Sequence, residues 1–168
     1  MALSTIPNNM QEVEIGSVIQ TKTLTGSASG TTINSTSYVD ITGMSMSFAA
    51  KRSNSLLLFT LQHHVYLASG AGTWNGVDFK VLKDSTEIFT GGEGGGGGYG
   101  TATAGGSTSA DRMMMYVTQN FEHSPNSTSS HTYKVQAHTT NNETGGDHEI
   151  NSNYYGADGR FIIMEIAQ

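Results

Sequence analysis

His63 and His64 are adjacent and are the side chains in this chain best suited to hold a metal ion. If they lie on a strand, neighbouring side chains point to opposite faces, so the two cannot chelate one ion within one chain. A three-fold axis gathering one histidine per subunit is the only metal arrangement left. His63 would share its face with Phe59, Leu61, Val65 and Leu67, which fits a satisfied buried histidine, and the structural role is the expected one. His123, beside Ser124-Pro125-Asn126, is expected to belong to a hairpin turn, where Pro and Asn have ordinary turn roles. Asp147-His148-Glu149 groups two carboxylates and an imidazole in a polar stretch and reads as a solvated turn. Gly26-Ser27-Ala28-Ser29-Gly30 has alanine where a nucleophile elbow needs serine. No catalytic residue, metal or other cofactor is expected, and the chain is not read as an enzyme.

Carbohydrate binding is the better-supported chemistry. Sugars are held by flat aromatic faces and by amide and carboxylate side chains on rigid loops. Trp74-Asn75 falls in a loop over 69–76, and Trp74 is the only tryptophan. Tyr99 follows the glycine run Gly94–Gly98 in a low-complexity loop over 91–109, and Tyr154 and Tyr155 fall near a later loop. These five residues are the candidate glycan contacts. The competing reading is that Trp74 packs on its own or a neighbouring subunit, and that the glycine-rich stretch is an insertion tolerated at the surface.

These loops need a scaffold, and the composition bounds it. At 168 residues the chain fits one domain, which buries roughly 70% of the surface its unfolded form exposes. Cysteine is absent, so no disulfide, thiolate metal site or cysteine nucleophile is available. Net charge is −6 with eight Lys and Arg and no basic cluster, which argues against nucleic-acid binding. No apolar run approaches the ~20 residues that span a bilayer, so membrane insertion is not expected. The start, Met1-Ala2-Leu3-Ser4-Thr5-Ile6-Pro7, lacks the charged and apolar regions of a secretory signal.

Period two dominates the chain. Met44, Met46 and Phe48 alternate with Ser45 and Ser47, and Tyr133, Val135 and Ala137 alternate with Lys134, Gln136 and His138. Alternation of this kind places one strand face on a core and the other outward. Strands are predicted over 15–24, 36–41, 44–49, 55–68, 77–83, 86–89, 112–121, 131–140, 148–153 and 160–167, with no helix of ten residues or more. Residues 1–13 show no strand period and read as an extended arm. The expected fold is an all-β jelly-roll sandwich over 14–168.

Leu56-Leu57-Leu58-Phe59, Met113-Met114-Met115-Tyr116 and Phe161-Ile162-Ile163-Met164 are apolar on both faces. Such strands are either covered twice within their own domain or buried by another subunit. The subunit reading is adopted, with Leu56, Leu58, Met114, Tyr116, Ile162, Ile163 and Met164 as the expected interface of a homotrimer. Jelly rolls of tumour-necrosis-factor or complement-globular-head type trimerise through strand faces of this sort, and the trimer rests on that analogy.

Ser35-Thr36-Ser37-Tyr38-Val39-Asp40-Ile41, His131-Thr132-Tyr133-Lys134-Val135-Gln136-Ala137 and Ile162-Ile163-Met164-Glu165-Ile166-Ala167 occur in an order that resembles small tailed-phage virion proteins of tail-fibre-like or surface type. Ile15–Gln20 and Leu82–Thr86 add to the resemblance, which spans roughly residues 12–168. It implies a structural protein on the virion exterior, made in the host cytoplasm. It also implies a partner virion protein, either a tail or fibre adaptor or the major capsid protein, gripped by the arm through Leu3, Ile6, Pro7 and Met10. Host surface polysaccharide is the implied target of a receptor-binding tip, and capsid decoration at local three-fold positions is the alternative.

Overall fold

The computed structural model describes residues 14–26, 29–68, 76–91, 112–139, 148–152 and 158–168. Ten strands follow one another: β1 (Val18–Thr25), β2 (Ser29–Ile33), β3 (Val39–Ala49), β4 (Leu56–Ala68), β5 (Val77–Lys83), β6 (Thr86–Thr90), β7 (Arg112–His123), β8 (Ser130–Thr139), β9 (His148–Ser152) and β10 (Arg160–Ile166). The arm expected at 1–13 lies outside the described residues.

One sheet runs β1–β10–β4–β7 and the other β3–β8–β5–β6, with every pair antiparallel. This interleaving of early and late strands is the double Greek key of a jelly roll, as the alternation predicts. β4 is the organising strand. Along one edge it pairs with β7 from Leu57↔His123 to Ala68↔Arg112. Along the other it pairs first with β10, as far as Gln62↔Arg160, and then with β9 at Val65↔Ile150. β2 extends that half by pairing with β9.

Period two decides which side chains enter the core. Leu57, Phe59, Leu61, His63 and Val65 of β4, with Phe161 and Ile163 of β10, are at most 1% exposed. They face Met44, Met46 and Phe48 of β3, Phe79 and Val81 of β5, and Tyr133, Val135 and Ala137 of β8. Burying each large side chain contributes about 1.5–3 kcal/mol, the main term holding the sheets together. Aromatic rings link the layers. Phe89 of β6 stacks on Phe121 of β7 (4.3 Å between centroids), Phe121 stacks on Phe59 (4.6 Å), and Phe59 meets Tyr133 of β8 (5.3 Å).

Two strand assignments differ from the sequence reading. The runs 36–41 and 44–49 form one strand, β3, with a register shift between Asp40 and Ser45. Gly43 sits there at φ 74°, a left-handed conformation that glycine adopts without strain, and the irregularity lets both Ile41 and Met44 face inward. β2 was not expected. Its one buried apolar side chain is Ile33, too little to reveal a strand by period.

Candidate functional site

The two ends of the sandwich are built differently. At one end lie the short connections 50–55, 84–85 and 124–129, together with residues 14–17, which lead into β1. Backbone bonds tie this end, from Gly16 N to Ala167 O and from Ala167 N to Ser17 O, both 2.9 Å. From the other end leave the connections 69–76, 91–111 and 140–147, because β4, β6 and β8 all finish there.

Trp74, Asn75 and Tyr99 belong to connections leaving that second end, while Tyr154 and Tyr155 belong to the connection between β9 and β10, which begins and ends midway along β4. All five lie outside the described residues, as do the anchor residues Leu3, Ile6, Pro7 and Met10. The topology thus brings the stems of the first two loops together and sets the third to one side.

The end that carries β1 is pinned by a carboxylate. Glu165 occupies an inward position of β10 and is wholly buried. Its oxygens accept hydrogen bonds from Ser55 Oγ (2.6 Å), Gln20 Nε2 (2.6 Å), Lys51 N (2.9 Å) and Arg52 N (3.0 Å). Burial alone would raise its pKa. The bonds from Ser55, Lys51, Gln20 and Arg52 outweigh that and hold it below the ordinary value. Glu165 therefore fixes the β3–β4 connection against β1 and β10.

The outer faces of the two sheets contrast. On β8 and its neighbours, Lys134 Nζ (3.0 Å) and Gln136 Nε2 (2.6 Å) bind Asp40, and Lys80 lies 3.9 Å from Glu87. Tyr38 crosses this face with Lys80 Nζ 4.1 Å from its ring centre and the His138 ring 4.2 Å away. Polar groups there are matched within the chain. On the other sheet, Leu56, Leu58, Ile162, Met164 and Ile166 stand half-buried on the outer face. They are joined in register by Leu56↔Ile166, Leu58↔Met164 and Val18↔Ile166, with Val18 55% exposed. Tyr116 stands 64% exposed beside His64, to which its ring is edge-on at 5.2 Å.

Four of the residues expected at a subunit interface, Leu56, Leu58, Ile162 and Met164, thus share one apolar patch, with Tyr116 farther along the same sheet. Ile163 is a correction. It points the other way and is 0% exposed in the core of its own chain, because neighbours on a strand face opposite sides. Met114 is opposite Tyr66 in β7, and its side chain lies outside the described residues.

His63 and His64 point to opposite sheet faces. His63 is buried and stacked on Phe79 (4.8 Å, 7° between planes). Asn151, inside the predicted strand 148–153, is 1% exposed, with Nδ2 donating to His63 Nδ1 and Oδ1 accepting from His64 N, both 3.1 Å. His123 closes β7 rather than lying in a turn. Burial, with Lys83 and His131 nearby, lowers its pKa. Among the described residues no three His, Asp or Glu side chains gather as metal ligands.

No protein-family profile and no curated protein matches this chain. Among solved structures it is similar to a chain of infectious bursal disease virus, Gx strain, with TM-score 0.47 and 12% identity over 99% of this chain and 37% of that one. It is similar to the infectious bursal disease virus VP2 subviral particle with TM-score 0.46 and 11% identity over 98% and 42%. Dimeric latent PorU from Porphyromonas gingivalis follows with TM-score 0.43 and 10% identity over 94% and 14%. The chain spans less than half the length of each, and likeness at this level carries no functional argument.

Proposed function

We propose that this chain is a surface protein of a tailed-phage particle, a short tail-fibre or receptor-binding tip that meets host glycans through its loop-bearing end. The supporting observation is the opposition of the two ends. Residues 1–13 lead into β1 at the end fixed by Glu165, while the connections carrying Trp74, Asn75 and Tyr99 leave from the other. A protein held by one end and presenting aromatic loops at the other is suited to attachment. The order of motifs resembling small phage virion proteins supports the same location.

In this reading the copies associate as a homotrimer through the apolar outer face of the β1–β10–β4–β7 sheet. The opposite sheet has its charges matched within the chain and offers little to a second copy. Capsid decoration is the second reading. It is favoured by the reach of the apolar patch to Val18, with Ile15 79% exposed near the β1 start, a surface that would also suit a clamp laid along capsomers.

Immunogold electron microscopy of intact particles, with an antibody against the purified protein, tests the location. Gold at the tail or its fibres supports the attachment reading. Gold spread over the head replaces it with decoration, and unlabelled particles would remove the virion assignment.

A further inference from the structure

β4 changes partners between Gln62, opposite Arg160 of β10, and Val65, opposite Ile150 of β9. At this junction the His64 amide is received by a side chain, Asn151 Oδ1 at 3.1 Å. Asn151 reaches it from a left-handed backbone position, φ 53°, which asparagine tolerates better than most residues. A Cβ on Gly159 would run into the Asn151 amide and the Met44 methyl, so the bracket needs bare backbone beside it.

The bracket also fixes the state of His63. Asn151 Nδ2 can only donate, so His63 Nδ1 must accept, and the ring proton sits on Nε2. That Nε2 is buried and has no hydrogen-bond partner among the described residues. A second proton would have to go on Nδ1 and would face the Asn151 donor. Turning the amide over would give His63 an oxygen but would set Nδ2–H against the His64 N–H. No orientation of Asn151 satisfies both groups once His63 is charged.

We propose that His63 and Asn151 form an acid-released latch: a proton taken up by His63 frees β9 from β4 while the β1–β10–β4–β7 pairing stays formed. The inward residues of the flanking elements are Leu61 and Val65 of β4, Val117 and Gln119 of β7, Phe79 of β5, Met44 of β3, Ala137 of β8, Ile150 of β9 and Phe161 of β10. None of them ionises. The charged or titratable Asp78, Lys80 and His138 lie on the outer face of one sheet, and His64 and Glu149 on the outer face of the other. Among the described residues, therefore, no carboxylate meets an imidazolium at this point. Burial holds His63 down to about 4 from an ordinary 6.5. A carbonyl turned to the ring would raise it, but the Asn151 oxygen is taken by His64 N–H.

The consequence is local and has a sign. In the open state His63 regains its ordinary affinity for protons. The open fraction rises about tenfold for each pH unit below 6.5, levelling off near 4 after a total gain of about 300-fold. The latch does not depend on where in a particle the protein works.

Hydrogen exchange read by mass spectrometry on the full chain, near neutral pH and near pH 5, tests this. After correction for intrinsic rates, peptides over 64–66 and 148–152 should lose about 30-fold protection in the wild type, while peptides over β1 and β10 hold theirs. His63→Gln, which can still accept from Asn151 but does not titrate, should abolish the loss. Equal losses in both proteins, or none in the wild type, overturn the latch. If His63→Gln does not fold, nitrogen NMR of wild-type His63 decides. An Nε2–H ring persisting well below pH 6 supports the latch, and an Nδ1–H ring or an ordinary titration overturns it.

Discussion

Ser55 Oγ donates a 2.6 Å hydrogen bond to Glu165 Oε1 across 110 residues of sequence. The contact joins the first residue before β4 to the last inward position of β10, in a site closed to solvent. A charged acceptor shared by two side chains and two backbone amides makes stronger hydrogen bonds than a neutral acceptor would in its place. Glu165→Ala should cost about 3 kcal/mol in urea denaturation, and Glu165→Gln, which keeps one acceptor, about half of that. An unchanged midpoint for Glu165→Ala would show the pin to have no energetic role.

The same carboxylate gives an acid dependence. Its folded pKa lies below the ordinary 4.5, so its contribution is complete above that value and is lost as pH falls through the folded one. Wild type should therefore lose stability below about pH 4.5 more steeply than Glu165→Gln. Parallel pH profiles of the urea midpoint would refute this.

Phe89 and Phe121 close the side of the sandwich where the edge strands β6 and β7 meet, their rings 4.3 Å apart and 10° from parallel. A double-mutant cycle to leucine at both positions should give a coupling of about 0.5–1.5 kcal/mol. A coupling near zero would mean that the rings fill space without favouring each other.

Gly159 and Gly16 separate crowding from backbone strain. A methyl on Gly159 meets the Asn151 side chain and Met44, so Gly159→Ala should destabilise by about 2–3 kcal/mol. Gly16 stands at φ +86° with no atom of the described residues within 4 Å of where a Cβ would stand, so Gly16→Ala should cost only about 1 kcal/mol of backbone strain. The reverse order in thermal melts would contradict the packing at Asn151.

Alternation made most of the sandwich legible, and its failures are instructive. Gly43 shifts the inward parity between Ile41 and Met44, so one strand read as two. Glu165 was visible in principle, since 161, 163, 165 and 167 share the inward face, but a carboxylate at a core position is informative only once its donors are placed. Those donors come from residues 20, 51, 52 and 55, far away in sequence. Asn151 escaped for a similar reason. Nothing in the predicted strand 148–153 marks this asparagine as an inward bracket, and only the exchange of β10 for β9 along β4 gives it a buried amide to satisfy. The aromatic residues read as glycan contacts lie in connections whose stems the fold places but whose side chains lie outside the described residues.

Ile162 and Ile163 give the sharpest test of the proposed homotrimer because they differ by one residue and face opposite ways. Ile163 is sealed in the core with Phe59 and Phe161, so Ile163→Asp buries an unpaired charge and should unfold the chain. Ile162 stands half-buried on the outer face, beside Thr23 and Thr60 in register. Ile162→Asp leaves the core intact and places a charge from each copy on the apolar patch, where like charges brought together repel. Sedimentation should show Ile162→Asp as a monomer with an unchanged circular dichroism spectrum, against a trimeric wild type. A trimer that tolerates Ile162→Asp, and Leu58→Asp beside it, would mean that the copies meet elsewhere.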